Sequence, residues 1–231
     1  MTANPWLDLP ESPPYVLPSD AGAVERFNAG LKAGQEAFKI QVDSVIPEPF
    51  VGDPRTASVV VLLLNAGYKS VDDAAHADPA FLAALHKNLR HEPTDFPFYF
   101  LDPEFKDTPG GAWWRARLRW LIADTSLEQV AHRLACVEWF TYKSTSFKTG
   151  CRVPSQRYGH ALVADALARG ALVVPLRARK VWEQSVPALA RQRHDITTAS
   201  QQSVYLSPGN LKLNGAKTPE AYDLLVNALG S

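Results

Sequence analysis

Sulfur is scarce in this chain. Its 231 residues include two cysteines, Cys136 and Cys151, and one methionine, Met1. Neither cysteine belongs to a C-x-x-C pair and the six histidines form no ligand-spaced pair, so the sequence offers no zinc site and no metal is expected. G-x-S-x-G, P-loop, H-E-x-x-H and G-x-G-x-x-G patterns are all missing, and no cofactor is expected either. Long apolar runs are also lacking. The longest, Val59–Leu64, falls far short of the roughly 20 residues that span a bilayer. Met1-Thr2-Ala3-Asn4-Pro5 shows no basic segment leading into an apolar one, so the expectation is a cytoplasmic, reduced protein with no membrane partner. Repeats and low-complexity segments are absent. So is any excess charge: 24 Lys/Arg balance 24 Asp/Glu, which argues against massive non-specific nucleic-acid binding.

The charge is nonetheless uneven. Residues 1–110 hold 8 Lys/Arg and 16 Asp/Glu, and residues 111–231 hold the reverse. Either the two halves neutralise each other across the fold, or a local basic face exists of the kind that phosphate contacts need. With 46% hydrophobic residues, the chain suits one domain spanning 1–231 with a full core, and a monomer. Five prolines in residues 1–20 read as an extended surface arm. Helical spacing follows over residues 21–40. Ile46–Pro54, with three prolines and a glycine, reads as a stiff loop without regular structure.

Beyond that loop, strand patterns alternate with helix patterns. Strands are predicted at Val59–Leu64, Ala135–Tyr142, Ala171–Leu176 and Gln202–Leu206. Helices are predicted from Asp78-Pro79, over 111–123, over 127–134, from Ser155 to Arg169, over 181–190, and from Thr218-Pro219 to Gly230. The alternation argues for an α/β fold, a three-layer α/β/α sandwich around a central four-stranded parallel sheet.

In such sheets, ligands bind beyond the carboxyl ends of the strands. Two junctions there are rich in small and polar residues: Asn65-Ala66-Gly67-Tyr68, and Tyr205-Leu206-Ser207-Pro208-Gly209-Asn210. Asn65 either holds a ligand or a water, or satisfies local backbone groups. Gly67 admits close backbone approach and Tyr68 walls a pocket. Ser207, Gly209 and Asn210 form a phosphate-contacting loop or a plain turn. Glu138 interrupts an apolar strand, so it is paired, exposed on an edge, or raised in pKa. Tyr142 and Ser144 follow it in a polar run at the same strand end. Phe98 and Phe100 either stack a planar ligand or cover the core. Arg177 and Arg179, just past the third strand, form a candidate phosphate track with Arg115, Arg117, Arg119 and Lys180.

The two junctions resemble the signatures of the uracil-DNA glycosylase superfamily, in a divergent bacterial branch. Leu63-Leu64-Asn65-Ala66-Gly67 is similar to its G-x-N-P-G form after strand one, and Tyr205-Leu206-Ser207-Pro208 to its H-P-S-P form after strand four. Pro47–Pro54 is similar to the approach loop of some bacterial members. The likeness spans about residues 45–215. Leu63 and Ala66 stand where the first pattern has Gly and Pro, and Tyr205 and Leu206 where the second has His-Pro.

The resemblance implies DNA repair by base excision. A damaged or mismatched base is flipped into the strand-end pocket and its N-glycosidic bond is hydrolysed. Asn65 then positions water and Tyr205 substitutes for the histidine that stabilises the departing base. Gly67, Tyr68, Phe98, Phe100, Glu138, Tyr142 and Ser144 bind the base. Arg177, Arg179, Ser207, Gly209 and Asn210 hold the backbone of DNA, or of RNA or a nucleotide. The alternatives are an inactive nucleic-acid-binding or scaffold module on the same fold, and a nucleotide-processing enzyme.

Overall fold

The apolar run 59–64 becomes the centre of a sheet. In the computed structural model, residues 2–200 and 203–230 are described. They form α1 (Pro18–Ala29), β1 (Phe50–Val51), β2 (Val59–Gly67), α2 (Asp72–His76), α3 (Pro79–Arg90), α4 (Pro109–Asp124), α5 (Leu127–Arg133) and β3 (Leu134–Ser144). Next come α6 (Gln156–Ala168), β4 (Leu172–Pro175), α7 (Arg179–Ser185), β5 (Ile196–Thr198), β6 (Leu211–Leu213), β7 (Ala216–Lys217) and α8 (Glu220–Gly230). Val59–Leu62 is wholly buried because β2 has a parallel neighbour on each side, β3 and β4, and helices over both faces. On one face, α6 packs Gly159 against Val137 and α7 hydrogen-bonds Trp139 through Ser185. On the other, α8 lies over β2 and packs with α4 and α5. No described helix is long and apolar enough to cross a membrane.

The sheet is α/β as expected, but mixed rather than all parallel. Its order is β1-β3-β2-β4, and β1 runs antiparallel to β3. The strand comes from the loop expected to be irregular. Pro47, Pro49 and Pro54 cannot donate to a ladder, which confines pairing to Phe50 and Val51. The predicted fourth strand does not form. Gln202 lies outside the described residues, and Ser203–Leu206 carries no ladder. Asn210 Nδ2 donates to the carbonyls of Ser203 and Tyr205 (2.8 Å each), and Leu206 N–H donates to Arg117 O on α4. The segment's polar groups are thereby spent on its own turn and on a helix. A separate antiparallel sheet, β5-β6-β7, follows β4 instead.

The N-terminal arm is not a loose surface strap. Trp6, Leu9 and Leu17 are buried in the core, and Asn4 Nδ2 donates to Leu89 O. The helix predicted over 21–40 ends at Ala29. There the Asn28 amide exchanges two 2.9 Å hydrogen bonds with the Ile40 backbone, folding the chain back on itself. In α1, Asp20 is fully buried. It accepts from Tyr142 Oη (2.8 Å) at the end of β3 and from Ser155 N (3.1 Å) at the start of α6. Asp20→Ala leaves the Tyr142 hydroxyl proton and the Ser155 N–H buried without that acceptor, although Tyr142 Oη still accepts from Leu17 N–H. We expect a loss of about 2–4 kcal/mol, read from urea unfolding, since each orphaned buried group costs about 1–3 kcal/mol. A loss below about 0.5 kcal/mol would contradict this packing role.

Candidate functional site at the strand ends

The first junction lies inside the sheet. β2 continues through Asn65, paired with Phe140, to Gly67, paired with Ser144, with a bulge between them. Bulges re-aim side chains at strand ends. Asn65 Nδ2 donates to Ser144 Oγ (3.1 Å) and Ala66 O (3.2 Å). Ser144 Oγ in turn donates to Ser146 O (3.0 Å), so it accepts from the amide. Ala66 O can only accept. The amide therefore has one permitted orientation, and its Oδ1 has no partner among the described residues. Gly67 is exposed, with open space where a Cβ would stand.

On the same face of the sheet sits Glu138. β3 pairs it with Leu63, two residues from Asn65 on β2, and side chains two apart project together. The carboxyl is buried and its Oε2 has no hydrogen-bond partner among the described residues. Burial, and then the nearby charge of Glu48, push it up to about 8, while Arg177 and Lys143 pull weakly the other way. Glu48 is also buried, on the Pro47-Glu48-Pro49 loop. Its fate is opposite, because Lys143 Nζ donates to Oε1 at 2.6 Å and His76 Nε2 lies 3.3 Å from the same oxygen. Ile46 N–H donates to His76 Nδ1 (3.1 Å), so Nε2 carries the proton turned to Glu48. Burial alone would raise the Glu48 carboxyl, but Lys143 and His76 outweigh it and hold it at about 2. Two neighbouring carboxyls are thus in opposite states at neutral pH, an arrangement that separates acid from base roles.

Glu48, Lys143 and His76 were not singled out from sequence. The signal that existed was charge in apolar company: a glutamate between two prolines, and a lysine ending a buried strand.

The second junction reaches the same strand ends through arginines. Arg177, exposed after β4, lies close enough to act electrostatically on both Glu138 and Arg117. The Arg117 guanidinium lies 5.1 Å from the centre of the Tyr205 ring. Ser207 is buried and its carbonyl accepts from Asn210 N (3.0 Å), closing the turn, while Gly209 is exposed.

Several sequence candidates are engaged elsewhere. Phe98 and Phe100 are core residues rather than a stacking loop. Phe98 packs edge-on to Trp114, and Phe100 lies against Phe81 and Tyr99. Tyr142 is wholly buried with its hydroxyl given to Asp20. The Tyr68 hydroxyl is held by Asp73 (3.0 Å). Arg179 is paired with Glu183 (2.7 Å) and Asp195 (2.8 Å), so its charge is not free for phosphate. Arg115 turns inward to the carbonyls of Leu101 and Asp102. Asn210 Nδ2 is spent on its own turn. His194 lines a cleft of about 590 Å³ at the opposite end of β4 from Arg177, away from these groups. Among the described residues, no cluster of three or more His, Cys, Asp or Glu is placed to hold a metal. No protein-family model, curated protein or solved structure matches this chain.

The Glu138 carboxyl has a signed consequence for stability. Its folded pKa, about 8, lies above its ordinary value of 4.5. The stability it contributes is whole below pH 4.5, declines as pH rises, and is lost past about 8. Glu138→Gln removes that decline. The variant should gain in Tm over the wild type progressively from pH 5 to pH 9. A difference that stays constant with pH would mean that Glu138 ionises normally.

Proposed function

We propose that this protein is a divergent member of the uracil-DNA glycosylase superfamily, binding nucleic acid at the carboxyl ends of β2, β3 and β4 and hydrolysing the N-glycosidic bond of an extruded base. The reading rests on one observation: an asparagine carbonyl fixed and unpartnered, beside a carboxyl held neutral on the same sheet face. Three parallel strands between helices, with one signature-like segment ending β2 and the other tied to α4 through Leu206 N–H and Tyr205, support it.

In this reading Asn65 Oδ1 accepts a hydrogen bond from the attacking water and orients it. An amide is not a base, so the water's proton passes on to solvent. Water oxygen bonds to the sugar carbon as the carbon–nitrogen bond breaks, and the electron pair leaves with the base. Glu138 is the group able to donate a proton to that departing base near neutral pH. Gly67 gives the substrate close access to backbone, and Arg177 supplies positive charge at the rim. Burial of Glu138, reinforced by the charge of Glu48 that Lys143 fixes in place, keeps its carboxyl protonated.

One observation favours a second reading, a binding module without chemistry. Tyr205 stands at the histidine position of the H-P-S-P form, and its ring is already edge-on to Trp120 and flanked by Arg117 and Arg119. That engagement suits a platform better than a catalyst.

Release of free base from duplexes carrying uracil, hypoxanthine or a mismatch distinguishes the two. We expect release by the wild type, reduced about 10²-fold or more in both Asn65→Ala and Glu138→Gln. Absence of release from every lesion would remove the catalytic claim.

A further inference from the structure

Helix α4 has two apolar faces where a surface helix needs one. Trp114, Leu118 and Leu121 make its buried stripe. A second stripe, Trp113, Arg117 and Trp120, is only partly buried and contributes no fully buried side chain to the core. Spacings of four, three and seven residues stack these side chains along the helix. The Arg117 guanidinium lies 4.1 Å from the Trp113 ring centre and 5.1 Å from that of Tyr205. Arg119 lies 3.7 Å from Trp120 and 5.9 Å from Tyr205. Trp120 and Tyr205 meet edge to face at 5.9 Å. The result is a continuous strip of alternating guanidinium and ring.

The strip is positively charged and uncompensated. None of Arg117, Arg119 or Arg177 has a carboxylate within ion-pair distance among the described residues. Arg117 and Arg177 are near enough to oppose each other; Arg117 donates only to a neutral carbonyl, Trp113 O (3.2 Å), and its buried Nε has no partner among the described residues. Like charges held together are destabilising unless an anion sits between them.

We propose that this strip binds a single-stranded nucleic acid, with phosphates taken by Arg117, Arg119 and Arg177 and unpaired bases stacked on Trp113, Trp120 and Tyr205. Guanidinium and aromatic faces together suit a polymer that alternates phosphate with flat rings. An acidic peptide would use the charges and leave the rings idle. In a duplex, each base already has its faces covered by its neighbours, so the rings select unpaired strands. The inference rests on the reading that nucleic acid is the partner, and extends it from the crevice to the adjoining surface.

The test is titration of the full-length protein with oligothymidine, followed by tryptophan fluorescence at several salt concentrations. Quenching that saturates, with affinity falling as salt rises, is the expected result. Arg119→Gln and Arg177→Gln alter exposed side chains, so folding is retained. Each should reduce the salt slope by about 0.7 for one lost phosphate contact on a single strand. Trp120→Leu should weaken binding by about tenfold or more. Equal binding to blunt duplex without quenching, binding to anionic vesicles but not to oligothymidine, or variants indistinguishable from wild type would overturn the proposal. Base release from duplex alongside any of those results leaves the crevice reading intact. Strip binding without base release leaves the strip and removes only the chemistry.

Discussion

The buried ion pair between Glu48 and Lys143 governs the chemistry of the strand ends. At 2.6 Å it takes both charges out of water, and burial on that scale is tolerated only when each group is matched. His76 adds a further donor to Glu48 and is itself fixed by the Ile46 backbone. The donors within reach are thus committed to one carboxylate. Glu138, buried, close to that fixed negative charge and with no donor to its Oε2 among the described residues, keeps its proton instead. Glu48 is ionised because Lys143 and His76 hold it, and Glu138 is raised by burial first and by the Glu48 charge second.

This arrangement gives the strand ends an acid, a fixed amide carbonyl and a rim of arginines, contributed by different strands and helices. Sheet register sets the first two: Leu63 opposite Glu138 and Asn65 opposite Phe140 bring the amide and the carboxyl to one face. Arg177 then links that face to α4 and to the 203–210 turn through Arg117 and Tyr205. The two segments that look like superfamily signatures are connected by this electrostatic path rather than by a fourth strand.

Much of the scaffold was legible in the residues. Val59–Leu64 reads as a doubly buried strand because nothing in it is polar, and Asp78-Pro79 marks a helix start because cap and ring favour it, as Asp78 Oδ1 accepting from Ala80 N bears out. What was hidden depends on contacts remote in sequence. Asn65 and Gly67 read as a turn, yet pairing with β3 extends the strand through them. Phe98 and Phe100 read as a ligand-stacking loop or as cover for the core until Phe81 and Trp114 pack against them. The segment 203–206 has a strand's composition, but Asn210 captures its carbonyls. The buried charges were the largest omission. Glu48 and Lys143 are 95 residues apart, and neither alone shows that it will be buried.

The proposed acid at the strand ends depends on the protonation state of one side chain, Glu138. Carbon-13 NMR of the glutamate carboxyls, with Glu138→Gln used to assign the resonance, reads that state directly. A carboxyl titrating with a midpoint near 8 is the predicted result. A Glu138 midpoint near the ordinary 4.5 would contradict it, leaving no neutral acid at the strand ends.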